Sequence, residues 1–328
     1  MFSCAVTGVG AYVPERRMTN RDLEDLVDTS DEWIVQRTGI RERRIVAPDQ
    51  ATSDLAVEAA RNALADAGED AASIDCIVLA TCTPDTILPA GAVYVQRALA
   101  ARSAAAFDVS AACTGFVYGM TIGSSLIASG VHQKVIVIGA EALSRIVDFE
   151  DRNTCILFGD GAGAVVLART DDDSPSRFVD SRLYSDGEGK CLIEQPAGGS
   201  RLPATHETID ARQHFVKMQG REVFKFATRV IVELIETALE RNGLSPADLK
   251  LVVPHQVNFR IIEAALKKID LPPERLYINL ERYGNTSAAS VPLGLSEAVA
   301  EGRVERGDWV LLLAFGAGMT WGYNLLRW

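Results

Sequence analysis

The sequence predicts a layered α/β fold that is built from two similar halves. Two observations lead to this prediction: strand-like apolar runs alternate with helix-like segments, and one order of elements occurs twice along the chain. Apolar runs such as KVIVIG and WVLLLAF are typical of buried sheets that helices cover. With 328 residues, 48% of them hydrophobic, the chain is long enough to bury one large core or two fused cores.

Local signals predict the longest helices. Residues 52–67 are predicted to be helical because apolar side chains recur along one stripe, Thr52 or Ser53 can cap the start, and Gly68 can end the helix. Residues 220–242 are predicted to form a second helix with a broad apolar face.

The repeat defines the two halves. A helix end, a glycine, a turn and an apolar strand occur in ALADAGEDAASIDCIVLA and again in ALERNGLSPADLKLVVP. A small-residue turn, a buried helix and a strand follow in both halves, from AACTGF to VIGAE and from NTSAAS to AFGAG. The acidic, turn-rich TDDDSPS is the predicted seam, which divides the chain into residues 1–172 and 173–328.

Composition and charge argue against several classes of protein. A net charge of −11 disfavours a nucleic-acid surface, because phosphate binding needs a basic face. The amino terminus lacks a basic leader followed by an apolar segment, and no apolar run is long enough to span a bilayer, so we expect a cytoplasmic protein without membrane association. The cysteines, at positions 4, 76, 82, 113, 155 and 191, form no CxxC pair, as expected where thiols stay reduced.

Other familiar motifs do not fit. The glycine-rich FGDGAGAVVLAR runs from the strand-like CILF into the strand-like AVVLA, which predicts a tight hairpin, whereas a dinucleotide-binding glycine motif must open a helix. His132, His206 and His214 lack the spacing of a metal site, and no GxSxG motif occurs. The remaining candidates for chemistry are Cys113, His255 and Asn285.

Cys113 lies where the strand-like FDVS gives way to the helix-like TGFVYGMTIGSSLIASG. At the first turn of a helix, free backbone N–H groups and the helix dipole favour a thiolate, which a cysteine nucleophile requires. The ordinary alternative is an inert buried thiol, because free cysteine is among the most buried residue types.

The repeat indicates that His255 and Asn285 lie near Cys113. His255 follows the apolar strand LVVP, and α/β sites are usually built at the carboxyl ends of strands. A histidine hydrogen-bonded in a loop and an asparagine in an ordinary turn are the alternatives. The repeat places Cys113 and Asn285 near the same topological point of the two halves, and His255 ends the strand before Asn285. The three side chains are therefore predicted to converge.

Several segments resemble β-ketoacyl-acyl carrier protein synthase III, a family of condensing enzymes with the thiolase fold. In chain order they are DTSDEWIVQRTGIRERR, SAACTGFVYG, DRNTCILFGDGAGAVVL, PAGGSRLPAT, VPHQVNFRII, GNTSAASVPL and AFGAGMTWG. The resemblance implies a thiolase-like fold with α-β-α-β-α layers. It also implies an acyltransferase that initiates fatty acid synthesis without a cofactor or metal, with acyl-coenzyme A as a substrate.

The family's Cys-His-Asn triad falls on Cys113, His255 and Asn285. By this resemblance, Cys113 attacks the thioester of a short acyl-coenzyme A, coenzyme A leaves, and malonyl-acyl carrier protein then loses carbon dioxide to give an enolate. His255 and Asn285 would donate hydrogen bonds to the thioester oxygen that gains the negative charge, and the enolate carbon would attack the acyl-cysteine.

A second oxyanion hole would consist of the backbone N–H groups of Cys113 and Ala317. Better-known members of the family carry glycine at the position of Ala317. If the position needs a positive φ, alanine would be strained by roughly 1 kcal/mol.

The resemblance also implies substrate contacts. Trp33 and Arg152 would sandwich the adenine of coenzyme A, with Arg37 near the pyrophosphate and the pantetheine arm, although Trp33 could also be a helix residue that covers core. Leu88 and Met319 replace phenylalanines common in acetyl-using relatives, and Leu88 would reach the acyl pocket of the partner in a homodimer. The residues that would line the pantetheine tunnel are Gly220, Phe224, Asn258 and Phe315.

Four cations match the family's basic patch for the acidic carrier protein: Lys225, Arg260, Lys267 and Lys268. Lys267 also has an ordinary explanation, because it forms an i,i+4 helix pair with Glu263. The patch lies on an otherwise acidic chain, and a carrier protein is the anionic partner that would need it.

Three alternatives are distinguishable. A thiolase would need a second cysteine in the carboxyl-terminal glycine loop, and no cysteine follows Cys191. A starter-unit synthase or acyltransferase of secondary metabolism would share every motif above and differ only in its acyl donor or acceptor. A catalytically silent relative should have lost the triad, which this chain retains.

Overall fold

A computed structural model of the chain describes residues 2–171 and 173–328. Strands and helices alternate in these residues, and the helices Thr52–Ala67 and Gly220–Asn242 have the predicted bounds. The strands are β1 (Ser3–Tyr12), β2 (Arg17–Thr19), β3 (Glu42–Arg44), β4 (Cys76–Ala80), β5 (Ala105–Val109), β6 (Lys134–Glu141), β7 (Gly161–Thr170), β8 (Arg177–Ser185), β9 (Ile193–Glu194), β10 (Lys217–Met218), β11 (Leu249–Pro254), β12 (Trp309–Gly316) and β13 (Thr320–Arg327). The α-helices are α1 (Asn20–Glu24), α2 (Asp31–Thr38), α3 (Thr52–Ala67), α4 (Gly91–Ala98), α5 (Gly115–Ala128), α6 (His206–Asp210), α7 (Gly220–Asn242), α8 (Phe259–Leu266), α9 (Leu280–Tyr283) and α10 (Ser290–Ala300).

Two sheets with the same topology form the centre of the fold. The strand order of the first sheet is β1-β7-β6-β4-β5, in which β4 is parallel to β5 and β6. The strand order of the second sheet is β8-β13-β12-β11, in which β11 and β12 are parallel. In the second sheet the position that corresponds to β5 is occupied by Leu276 alone, which forms a single parallel bridge with Val252 of β11. The sequence repeat therefore corresponds to a repeated strand order.

Six of the helices form three layers with the two central sheets. Helices α5 and α10 lie between the two sheets, α3 and α4 cover the outer face of the first sheet, and α7 and α8 cover the outer face of the second. One buried apolar cluster joins both sheets through Phe116 and Met120 of α5 and Val291 of α10. The predicted α-β-α-β-α order is confirmed.

The start of α3 differs from the prediction. Its N-cap is Ala51, whose backbone N–H donates to the Asp54 carboxylate at 2.8 Å. The Thr52 hydroxyl instead donates to the backbone carbonyl of Thr83, in the loop that follows β4. Thr52 therefore holds the helix against this loop and does not cap it.

The glycine-rich segment also differs. Within the predicted strand CILF, residues 155–157 form turns and Phe158 makes an isolated parallel bridge to Asn285. Strand β7 pairs with β1 and β6, so the predicted hairpin is wrong. The predicted domain boundary falls on residue 172, which lies outside the described residues, and the division there stays a prediction. Within residues 2–171 and 173–328, no helix is both long enough and apolar enough to span a membrane.

Candidate active site

Cys113, His255 and Asn285 line one narrow, largely apolar cavity, as the repeat predicts for three converging side chains. Cys113 comes from the first half of the chain, and the other two come from the second half. The remaining lining residues are Phe158, Ile193, Met218, Val223, Phe226, Val257, Phe315, Gly316 and Met319.

Cys113 lies in a single 3₁₀ turn, Ala112–Thr114, immediately before α5. Ala112 has a φ of 46°, a left-handed conformation that L side chains rarely adopt. The end of β12 packs against this turn, because a Cβ added to Gly316 would lie 2.8 Å from the Cβ of Cys113. Glycine at 316 therefore allows the second half to approach the sulfur.

The Cys113 thiol does not have the lowered pKa that the helix start predicts. Burial raises its pKa to about 11, and the nearby Glu141 carboxyl adds to the rise. The Ser287 hydroxyl and the backbone N–H groups of Cys113 and Ala317 act in the opposite direction. Desolvation outweighs these donors, so the resting side chain is a thiol, and its proton must leave when the sulfur attacks.

His255 follows β11, and its side chain is buried with 1% exposure. Its Nδ1 lies 2.5 Å from the Ser290 hydroxyl, which accepts the backbone N–H of Gln256 at 3.4 Å. The hydroxyl is thus placed to donate to Nδ1, which assigns the ring proton to Nε2. Nε2 is buried without a partner among the described residues. Burial lowers the pKa of His255 to about 3, so the ring is a neutral donor.

Asn285 is held at its backbone and at one side-chain atom. Its N–H donates to the carbonyl of Leu157 at 2.8 Å, and its carbonyl accepts the N–H of Gly159 at 3.0 Å. Its Oδ1 accepts the N–H of Ser287 at 2.8 Å. Because the oxygen is occupied, the Nδ2 amide is the end of the side chain that remains to donate to a ligand.

Ala317 is not strained. Its φ is not positive, and the left-handed residues of this loop are Gly318 at 73° and Met319 at 44°. Its N–H is close enough to the Cys113 sulfur to act against the rise in the thiol pKa. It is therefore placed near the oxygen of an acyl group bonded to that sulfur, where an oxyanion-hole donor would act. The expected penalty for alanine at 317 therefore does not apply.

The predicted coenzyme A residues cluster on α2 and on the segment after β6. The guanidinium carbons of Arg37 and Arg152 lie 4.7 and 4.6 Å from the Trp33 ring centroid. Arg152 also donates to the backbone carbonyl of Asp28 at 2.8 Å. Arg37 thus contacts the indole as Arg152 does. An adenine between Trp33 and Arg152 would have to displace the guanidinium from the ring.

The four predicted pantetheine contacts lie in three places. Phe315 lines the cavity, and its ring lies 5.6 Å from that of His255 in an edge arrangement. Asn258 caps α8 and donates to the carbonyl of Arg37 at 3.0 Å, which joins the second half to α2. Gly220 and Phe224, at the start of α7, are exposed and do not line the cavity.

Of the two acyl-pocket predictions, Met319 lines the cavity and Leu88 does not. Leu88 is 87% exposed. The four predicted docking cations lie along α7 and α8 and just beyond α8, and two of them have acidic partners, Lys225 with Glu222 at 2.9 Å and Lys267 with Glu263 at 3.3 Å. In residues 2–171 and 173–328, no group of three potential metal ligands is found.

Sequence analysis missed the polar groups around the triad. Glu141 ends β6, Cys82 follows β4, and Ser287 and Ser290 lie in the segment GNTSAAS. Because β4, β5 and β6 are parallel, their carboxyl ends meet at one edge of the sheet. This rule could have placed Cys82, Cys113 and Glu141 together.

A cysteine before a buried helix, with a neutral histidine and an asparagine supplied by a second copy of the same α/β unit, defines a condensing enzyme of the thiolase fold. The comparisons support this class. Residues 107–187 match the family model of 3-oxoacyl-[acyl-carrier-protein] synthase III, and residues 239–328 match that of its carboxyl-terminal part.

Full-length relatives define the family. The β-ketoacyl-[acyl-carrier-protein] synthase III of Solibacter usitatus is 51% identical, over 100% of this chain and 99% of the relative. The protein of the same name from Caldanaerobacter subterraneus is 50% identical, over 100% and 98%. The crystal structure of 3-oxoacyl-[acyl-carrier-protein] synthase III from Aquifex aeolicus VF5 gives a TM-score of 0.91 at 45% identity, over 99% of this chain and 100% of that chain. The chain belongs to the β-ketoacyl-[acyl-carrier-protein] synthase III family, the condensing acyltransferases that initiate fatty acid synthesis.

Proposed function

We propose that the chain transfers a short acyl group from coenzyme A to Cys113 and then condenses it with malonyl-acyl carrier protein. One observation carries this proposal: a thiol and two neutral donors, His255 Nε2 and Asn285 Nδ2, belong to side chains that line the same apolar cavity. Neutral donors stabilise an enolate without protonating it, and apolar walls strengthen their hydrogen bonds by excluding water.

The reaction has two stages. In the first stage the Cys113 sulfur forms a bond to the acyl carbon, the coenzyme A sulfur leaves, and the N–H groups of Cys113 and Ala317 stabilise the oxyanion. In the second stage, malonyl decarboxylation leaves an enolate whose oxygen accepts hydrogen bonds from His255 and Asn285. The enolate carbon attacks the acyl carbon, and Cys113 leaves as a thiolate.

The cluster of Trp33, Arg37 and Arg152 is the proposed site for the nucleotide end of coenzyme A. A planar indole and two guanidinium groups suit a flat base beside phosphates. Asn258 joins α8 to this cluster. Gly220 and Phe224 are close in sequence to Met218 and Val223, which line the cavity, so they are proposed to lie at its entrance. Acyl-coenzyme A acts in this scheme as a substrate, and the chemistry needs no cofactor.

A homodimer is proposed from the exposed apolar side chains between β4 and β5. Ile87 and Leu88 are each 87% exposed, Val93 is 41% exposed, and β5 is an edge strand of the first sheet. Edge strands and exposed apolar patches are the usual sites of association between chains. In such a dimer Leu88 would belong to the acyl pocket of the partner.

The cations on α7 and α8 form the proposed surface for malonyl-acyl carrier protein. The chain carries a net charge of −11, so a local basic surface is what an acidic partner can use. Replacing both Lys267 and Lys268 with glutamate should raise the KM for malonyl-acyl carrier protein and leave the acylation rate from acyl-coenzyme A unchanged.

Mass spectrometry tests the first stage. Incubation with a panel of short acyl-coenzyme A donors should add one acyl mass to the intact protein, and Cys113→Ala should abolish the adduct. Equal labelling of the variant would refute the proposal. Release of carbon dioxide from malonyl-acyl carrier protein then tests the second stage. An acylated protein that never decarboxylates this substrate would favour the starter-unit or acyltransferase alternative.

A further inference from the structure

A carboxyl group that the proposed reaction does not use lies beside the nucleophile. Glu141 is completely buried, at 0% exposure, at the carboxyl end of β6. Among the described residues, no lysine or arginine forms an ion pair with it. A buried carboxyl group without a cation is costly unless it has other partners or a task.

The partners of Glu141 are all donors. The Thr83 hydroxyl donates to it at 2.7 Å and the Thr81 hydroxyl at 3.1 Å. The backbone N–H of Cys82 donates at 3.1 Å and the Cys82 thiol at 3.3 Å. Hydrogen bonds from these donors favour the anion, whereas burial acts against it and raises the pKa of the carboxyl group.

Ser287 connects this carboxylate to the nucleophile. The turn that begins at Ser287 packs against β6 and against the turn of Cys113, and hydrogen bonds from the Ser287 hydroxyl oppose the rise that burial causes in the pKa of the Glu141 carboxyl and of the Cys113 thiol. The backbone N–H of Ser287 is bonded to Asn285 Oδ1, and its φ is 49°, a conformation that costs energy for serine. In this conformation the hydroxyl belongs to a turn that lies between Glu141, which ends β6, and Cys113, in the turn that follows β5.

The remaining titratable neighbours do not suit proton transfer. The Cys82 thiol, which lies between Glu141 and Ser287, has a pKa raised well above its usual value by burial. His255 is neutral, with a pKa of about 3. Burial raises the pKa of Glu141, which makes its carboxylate a better acceptor for the proton of a thiol.

We propose that Ser287 is a further catalytic residue, which passes the Cys113 thiol proton to Glu141, and that Glu141 holds this proton for the lifetime of the acyl-enzyme. As the sulfur bonds to the acyl carbon, the thiol proton moves to the Ser287 oxygen and the Ser287 proton moves to the carboxylate. The coenzyme A thiolate leaves and takes a proton from solvent.

The second stage returns the stored proton. Decarboxylation converts the malonyl carboxylate into carbon dioxide and an enolate, and attack of the enolate expels Cys113 as a thiolate. The Ser287 hydroxyl protonates that thiolate and recovers its proton from Glu141. One solvent proton is consumed in each cycle, all of it in the first stage.

Proton uptake during acylation tests this inference, which rests on the proposed function. In a weakly buffered solution near neutral pH with an indicator dye, the protein is mixed with the acyl-coenzyme A that labels Cys113 best, and no malonyl substrate is added. We expect uptake of about one proton for each acyl-enzyme counted by mass. Direct exchange of the thiol proton onto coenzyme A would give no uptake.

Variants identify the groups responsible. Ser287→Ala and Ser287→Gly both remove the hydroxyl, and the glycine variant also relieves the left-handed strain, so a shared effect belongs to the hydroxyl. Both variants and Glu141→Gln should reduce proton uptake to near zero and slow acylation about a hundredfold or more. Asp160→Asn is the matched control, because Asp160 is equally buried and accepts a bond from the Ser144 hydroxyl without contacting Cys113. It should keep full uptake.

The outcomes separate the two proposals. Acylation of the wild-type protein without proton uptake overturns the proton store and leaves the proposed function intact. Uptake that persists in Ser287→Gly and Glu141→Gln also overturns it, because the proton would have another acceptor. Absence of any acyl adduct on the wild-type protein overturns both proposals.

Discussion

The two turns that precede the central helices are built alike and carry different chemistry. In the first half, the 3₁₀ turn Ala112–Thr114 leads into α5, and in the second half the 3₁₀ turn Ser287–Ala289 leads into α10. The first residue of each turn is left-handed, with φ values of 46° and 49°. By this correspondence, Cys113 matches Ala288. One backbone design therefore carries a nucleophile in one half and an inert methyl group in the other.

The strand ends that face the turns explain the difference. A Cβ on Gly139 of β6 would lie 2.2 Å from the carbonyl oxygen of Ala288, and a Cβ on Gly316 of β12 would lie 2.8 Å from the Cβ of Cys113. Each half thus packs a strand end against the turn of the other half. Glu141 follows Gly139 by two residues, whereas Gly318 follows Gly316 by two residues. The cysteine turn faces backbone N–H groups, and the serine turn faces a carboxylate.

Moving the thiol from one turn to the other should produce the largest effect. The double variant Cys113→Ala, Ala288→Cys should form no acyl adduct, because Ala288 is 1% exposed and does not line the cavity. Intact-mass analysis after incubation with acyl-coenzyme A measures the adduct. The single variant Ala288→Cys is the control and should still be acylated at Cys113. An adduct on the double variant would show that the two turns are functionally equivalent.

Removing the Asn285 donor should separate the two stages of the reaction. Asn285→Asp keeps an oxygen for the N–H of Ser287 but cannot donate to an enolate. Carbon dioxide release should fall by about a hundredfold to a thousandfold, as for loss of one oxyanion donor, while acylation of Cys113 continues. Single-turnover decarboxylation measures this rate. A rate within tenfold of the wild type would remove Asn285 from the second stage.

The sequence predicts the fold well because its signals are local or repeated. Gly68 and Gly243 end α3 and α7 in left-handed conformations, as their positions indicate. The triad could be assembled because the repeat places Cys113 and Asn285 near the same topological point of the two halves, and His255 ends the strand before Asn285. The charge state of Cys113 could not be predicted, because the helix start is a local signal and desolvation depends on the whole fold.

The proton-transfer groups were missed for a related reason. Glu141 and Ser287 are far apart in the sequence and meet only because β6 of the first half packs against the turn of the second half. An acidic residue at the end of an apolar strand is also a common solvent-facing feature. Parallel topology would have placed Glu141 near Cys113, but no local pattern identifies a serine that contacts both.

Substitution of the two glycines at the strand ends, Gly139 of β6 and Gly316 of β12, should have different effects on stability and on the acylation rate. Gly139→Ala should lower the free energy of unfolding by about 3 kcal/mol, because its Cβ would meet a backbone carbonyl that cannot rotate away. Gly316→Ala should cost less stability and chiefly slow acylation, because its Cβ would meet the Cys113 side chain and N–H. Urea denaturation and the acylation rate measure the two effects. Equal losses of stability would contradict this asymmetry.

The imidazole of the second half should make stability depend on pH. The pKa of His255 is about 3 in the folded protein, against an ordinary value of 6.5 for the unfolded chain, so unfolding lets the ring bind a proton. This contribution is present above about pH 6.5 and is lost as the pH falls toward 3; at pH 5 the loss is about 2 kcal/mol. The stability difference between the wild type and His255→Gln should shrink by that amount between about pH 7.5 and pH 5. Glu141 is common to both proteins and cancels, so a constant difference would refute the shift.

The smallest effect should come from the residue that orients His255. Ser290 is the first residue of α10 and corresponds to Gly115 of α5, so only the second half has a hydroxyl at this place. Ser290→Ala removes the donor to Nδ1 and allows the ring proton to occupy either nitrogen. The condensation kcat should fall about tenfold, which corresponds to roughly 1.4 kcal/mol, with acylation unchanged. Ser290→Thr retains the hydroxyl and should restore the rate. A threonine variant as slow as the alanine variant would indicate that Ser290 acts through packing and does not set the tautomer.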